Sequence, residues 1–148
     1  MSDLGHDLDL WSEVVGQDAA VEQLRAAAAS PVHAYLIVGP EGSGKRAAAR
    51  AFAADLLADG LDTVEAARAR RLAAAEAHPS LTVIEREGAS ITKEQADEVV
   101  RRSSLAPPEG DLQVIVLVDF HLVGVAAPKL LKSIEEPPPT TLFVVLAE

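Results

Sequence analysis

The segment from Ala34 to Lys45, Ala-Tyr-Leu-Ile-Val-Gly-Pro-Glu-Gly-Ser-Gly-Lys, is an apolar run that empties into a glycine-rich loop closed by a lysine. The residue types suit a polyphosphate. Gly39, Gly42 and Gly44 allow the backbone to turn with positive φ and bring successive N–H groups close to phosphate oxygens. Pro40, Glu41 and Ser43 occupy the positions between them, and Lys45 supplies a point charge for the outer phosphates. The alanine-rich stretch from Arg46 to about Leu57 is expected to be a helix whose positive dipole end faces the same place.

The pattern Gly-x4-Gly-Lys is complete, but the position after the lysine should carry a Ser or Thr hydroxyl for Mg²⁺. Arg46 stands there instead. The loop is thus intact as a fold signal and damaged as a catalytic one. A glycine-rich turn without chemistry is the competing reading. The strand before the loop and the helix after it weigh against that reading for the fold, and weigh less for present-day ATP binding.

A second half of the site is expected where a strand beside the first ends in an acid that orients Mg²⁺ through water. Leu112 to Val118 is a continuous apolar run too short for a typical helix, which reads as a strand buried on both faces and delivers Asp119 at its end. A hydrolytic site of the AAA+ kind needs Glu next, as the base that polarises water, and Phe120 is found. Loss of such a base removes roughly 10²- to 10⁴-fold in rate, or about 3–5 kcal/mol. Phe120 reads as a packing residue. His121 could substitute as a base, but a surface histidine without function is the favoured reading.

The remaining elements must position these groups. Trp11 to Gly16 leads into a helix expected from Gln17 to about Ala29, with Val21, Leu24 and Ala28 as its buried stripe. Val64 to Ala77 is expected to be helical, its Arg68, Arg70 and Arg71 forming a solvated face, and Leu81 to Glu85 reads as a strand. Thr92-Lys-Glu-Gln95 has the form of a capping box before a helix that carries Val99 and Val100 inward. A helix around Lys129 to Glu136 follows, with Leu130, Leu131 and Ile134 on one side, and Thr141 to Ala147 is the fourth strand. This alternation implies parallel β-α-β units in an α/β fold. Met1 to Leu10 reads as a disordered tail and residues 11–148 as one domain.

Composition narrows the function. The 148 residues are nearly half hydrophobic and carry a net charge of −10, which sets the chain against an electrostatic grip on nucleic acid. The acidic excess lies in residues 1–40 and 76–148. With no cysteine and four scattered histidines, neither a disulfide nor a zinc site is expected. No apolar run approaches a membrane span, and the acidic N-terminus is unlike a signal peptide, so the expected location is the cytoplasm.

Several segments together resemble the clamp-loader subunits of bacterial DNA polymerase III, nearest in pattern to the delta-prime kind. They are Val15-Gly16-Gln17 with Leu24, His33-Ala-Tyr-Leu before the loop, His78-Pro79, the helix start at Ile91, Pro107-Pro108-Glu109-Gly110, and above all Leu130-Leu-Lys-Ser-Ile-Glu-Glu-Pro-Pro138. The resemblance runs from about Trp11 to Ala147. It implies a three-layer P-loop domain of the AAA+ type with Val14, Val15 and Gly16 at the adenine, Gly39 to Lys45 at the phosphates, and Asp119 as the acid of the second motif. Arg46 adjoins the phosphates. ATP is the cofactor implied, bound without turnover, with Mg²⁺ arriving only with nucleotide and no catalytic residue remaining. The family's four-cysteine zinc module is absent from Leu61 to Ala77.

The implied partners are the tau/gamma and delta subunits, with DNA met only through the assembled complex and no membrane. In the family's sheet the first strand lies between the fourth and a fifth that would follow Glu148, so the chain reads as truncated before that strand, the lid and the collar. Its apolar Tyr35-Leu-Ile-Val edge is then expected to lie open. An active motor of the tau/gamma type would need Ser or Thr at 46 and Glu at 120. A small P-loop kinase would leave the Glu-Glu-Pro-Pro segment unexplained.

Overall fold

Four parallel strands with helices on both faces form the molecule in the computed structural model, which describes residues 10–14 and 17–148. The strands are β1 (Ala34–Val38), β2 (Leu81–Ile84), β3 (Gln113–Leu117) and β4 (Thr141–Ala147). The helices are α1 (Asp18–Ala28), α2 (Lys45–Ala58), α3 (Thr63–Ala74), α4 (Lys93–Ser103) and α5 (Ala127–Glu135). A 3-10 turn spans Leu10–Glu13, and two more lie between β3 and α5. No described helix is long and apolar enough to cross a membrane.

The sheet order is β1-β4-β3-β2. The strand beside β1 is β4, as the family resemblance implies, in register Ala34 to Phe143; the acid-ending β3 is one place further away, which corrects the expectation that it adjoins the first strand. The reason lies in burial. β4 carries six consecutive buried residues, Thr141 to Leu146, and β3 is buried throughout, so both take interior places, while β1 lies at one edge of the described sheet.

One face packs on α1, α2 and α3. Phe52 and a run of buried alanines let α2 lie close on Val114, Val116, Leu142, Val144 and Leu146, and the Tyr35 ring meets Phe52 edge-on at 4.8 Å. The other face holds Val99 of α4 and Leu130 of α5 against Ile115, Phe143 and Val145. A buried polar pin fixes the lower end of this layer: Gln113 Nε2 donates to Arg102 O and Leu105 O at 2.8 Å each, and Thr141 Oγ1 donates to Ser103 O at 2.9 Å.

Several local expectations shift. Leu10 is not tail but a buried residue of the 3-10 turn, while residues 1–9 lie outside the described part. The α1 stripe of Val21, Leu24 and Ala28 is only half-buried, because α1 rests on the rim of α2. Val100 is half-buried where Val99 is sealed, and Leu131 turns outward, 41% exposed, because Ala127, Leu130 and Ile134 form the side of α5 that meets the sheet. The arginines of α3 are partly solvated rather than free: Arg71 is exposed, while Arg68 and Arg70, with side chains 43% and 34% exposed, pair with Glu109 and Asp55.

Candidate functional site

The glycine-rich loop leaves β1 at the carboxyl end of the sheet, the end at which open α/β sheets bind ligands. Gly42 and Gly44 take φ of 81° and 91°, where a side chain would be strained. Gly39 answers a different need: a Cβ there would come within 2.7 Å of Ser43 Oγ. Its N–H is held by Ala147 O at 3.1 Å, which ties the loop to β4. Lys45 Nζ donates to Gly39 O at 2.6 Å and Pro40 O at 2.9 Å, so the ammonium closes the loop on itself.

A cleft of about 600 Å³ opens above this loop, within the range of small-molecule sites. Glu41, Gly42, Gly44, Lys45, Arg46 and Asp119 all line it, so the two halves expected from the sequence meet in one place. Gly39 and Pro40 contribute carbonyls to Lys45 instead. Ser43 and Val14 lie in a small cavity on the loop's other side, bounded by Gln17, Val21, Leu24 and Val38. Val15 and Gly16 lie outside the described residues.

Asp119 follows β3 in the left-handed region, at φ 54°, unusual for a residue with a side chain. Its carbonyl accepts from Leu122 N–H at 2.8 Å and starts a 3-10 turn that swings Phe120 onto the second apolar core. Phe120 is therefore packing. His121 lines the cleft, where its Nδ1 accepts from Glu148 N–H at 3.2 Å.

Arg46 defines the state of the site. Its Nε and Nη2 donate to both oxygens of Glu76, at 2.9 and 2.8 Å, and Nη1 donates to Glu85 at 2.7 Å. Arg50 adds a contact to Glu76 at 3.3 Å. The bidentate bond from Arg46 holds the Glu76 carboxyl below the usual carboxylate range, and the same bond raises the guanidinium well above its ordinary value. Glu76 itself sits at φ 55° just past α3.

The residues do not fit Mg²⁺. Position 46 offers a cation where a hydroxyl is required, and Asp119 Oδ2 lies 3.8 Å from Arg86 Nη2. The cradle does fit phosphate, through its turned backbone and Lys45. Among the described residues no group of His, Cys, Asp and Glu is placed to hold a metal. The sequence reading passed over Arg86, Glu76 and Glu85. A signal was present for Arg86, which lies two residues past β2 at the same carboxyl end of the sheet.

Parallel strands, helices on both faces and a phosphate loop at the carboxyl end define a three-layer P-loop domain of the AAA+ type. The chain belongs to the family described as DNA polymerase III, delta subunit, whose profile it matches over residues 16–148. It is 34% identical over 144 residues to DNA polymerase III subunit delta' of Pseudomonas aeruginosa, covering 93% of this chain and 40% of that one. It is 32% identical over 146 residues to DNA polymerase III subunit gamma/tau of Mycobacterium tuberculosis, covering 90% of this chain and 24% of that one. A crystal structure of a DNA polymerase III gamma subunit-related protein from Thermotoga maritima superposes with a TM-score of 0.65 at 17% identity. That match covers 86% of this chain and 39% of the other, and it shows the fold. The chain thus spans well under half the length of these relatives.

Proposed function

We propose that the chain is the nucleotide-site module of a clamp-loader subunit of the delta-prime kind, which supports loading of the sliding clamp in DNA replication without hydrolysing ATP itself. The observation that carries this reading is Arg46, whose guanidinium is committed to Glu76 and Glu85 at the position where a motor subunit needs a metal-binding hydroxyl. Phe120 supports it, because the place of the water-activating acid is spent on the apolar core. The work of such a module is to bind neighbouring tau/gamma and delta subunits, and DNA only through them, in the cytoplasm.

The motor reading remains the rival, since gamma/tau proteins are among the relatives. ATP hydrolysis decides between them. Phosphate release by the chain should equal that of its Lys45→Ala variant, and the chain should co-purify with the tau/gamma and delta subunits of its own organism. Turnover well above that control would establish a motor instead.

A further inference from the structure

The loop after β2 brings Arg86 into the cleft with Lys45 and Asp119. Its Nη1 donates to Gly88 O at 2.8 Å, which anchors the guanidinium, and Nη2 lies 3.8 Å from Asp119 Oδ2. Nε–H is buried and has no partner among the described groups. The side chain is nonetheless 33% exposed where it lines the cleft, and it is this exposed part of the guanidinium that a phosphate oxygen can meet. In the usual arrangement the acid at the end of this strand faces a divalent cation. Here a guanidinium lies beside it, and the neighbouring position, Arg46, has no oxygen to offer.

Resting on the reading that the Gly39 to Lys45 loop still holds nucleotide, we infer that Arg86 takes the part of the metal. The cleft binds the phosphates of a nucleoside triphosphate as the metal-free anion, between Lys45 and the Arg86 guanidinium, which also neutralises Asp119. A planar fork of N–H donors suits phosphate oxygens, and its fixed charge repels a second cation at the same carboxylate.

The test is titration of the full chain with a fluorescent ATP analogue, in EDTA and in excess Mg²⁺, using Arg86→Gln, Arg86→Lys and, as control, the exposed Arg71→Gln. Circular dichroism establishes that each variant is folded. The parent should bind with the same affinity within about twofold in both buffers. Arg86→Gln should bind about tenfold more weakly in EDTA, the scale of one lost charge-assisted contact, and Mg²⁺ should restore little of that affinity because Arg46 still stands in place of the metal-binding hydroxyl. Arg86→Lys, which keeps the charge, should retain more affinity in EDTA than Arg86→Gln, and Arg71→Gln should match the parent. Parent binding that requires Mg²⁺, or an Arg86→Gln variant equal to the parent in EDTA, overturns the role of Arg86 and leaves the nucleotide reading standing. Absence of binding in both buffers overturns the two together.

Discussion

Arg46 joins two acids from separate parts of the chain, Glu76 past α3 and Glu85 past β2, to the first turn of α2. Its replacement is therefore not a clean restoration of a metal ligand. Arg46→Ala leaves Glu76 with Arg50 as its remaining guanidinium, and the expected cost is about 1–2 kcal/mol after allowance for solvent screening. This should appear as a lower urea midpoint with an unchanged slope. Glu76 occupies a left-handed position that costs roughly 1 kcal/mol for a residue with a side chain, so the ion pair offsets local backbone strain. His78 is a second residue with a measurable signature. It is buried, its Nδ1 accepts from Ser80 N–H at 3.0 Å, and its Nε2 lies 3.1 Å from Glu109. Burial holds its pKa below the ordinary value, against the pull of Glu109, so the fold prefers the neutral ring. The unfolded histidine takes up its proton near pH ~6.5, so this stabilisation is complete above that pH and declines as pH falls through it. Melting temperatures between pH 7.5 and 5.5 should fall less for His78→Gln than for the parent.

At the scale of elements, Thr92 and Gln95 form the complete reciprocal cap of α4: Thr92 Oγ1 accepts from Gln95 N–H and Gln95 Oε1 accepts from Thr92 N–H, both at 3.0 Å. Thr92→Ala should cost about 1 kcal/mol, read by chemical denaturation. That cap was legible because its two halves are three residues apart and obey a local rule. The same holds for β4, which runs over Thr141–Ala147 as read, and for β3, whose apolar run is bounded by turn residues. The facing of single side chains was less legible. Leu131 belongs to the same apolar run as Leu130, yet only tertiary packing decides which of the two meets the sheet. The ion pairs were not legible at all, since Arg46 to Glu76 and Arg86 to Asp119 join distant segments and leave no periodic trace. Sheet order was misread in one place for the same reason: strand identity is local, but adjacency depends on which strand can be buried on both faces.

At the scale of the whole molecule, one edge of the described sheet exposes apolar side chains. Leu36 and Val38 of β1 are 64% and 62% exposed, and β1 has a hydrogen-bonded neighbour on one side only in the described sheet. Edges of this kind invite pairing with other chains. Leu36→Lys should reduce concentration-dependent association in sedimentation or light scattering without lowering thermal stability. Association unaltered by the lysine would place the sticky surface elsewhere. The sheet order also sets a timetable. β4 is the last of the four described strands, yet β1 and β3 both pair with it, and the β1–β4 register joins residues on the order of a hundred positions apart. During synthesis the phosphate loop can be made early, but the strand that anchors Gly39 through Ala147 arrives late. A nascent chain should therefore hold an unformed cradle until β4 has left the ribosome, and cradle and sheet should appear together in one step.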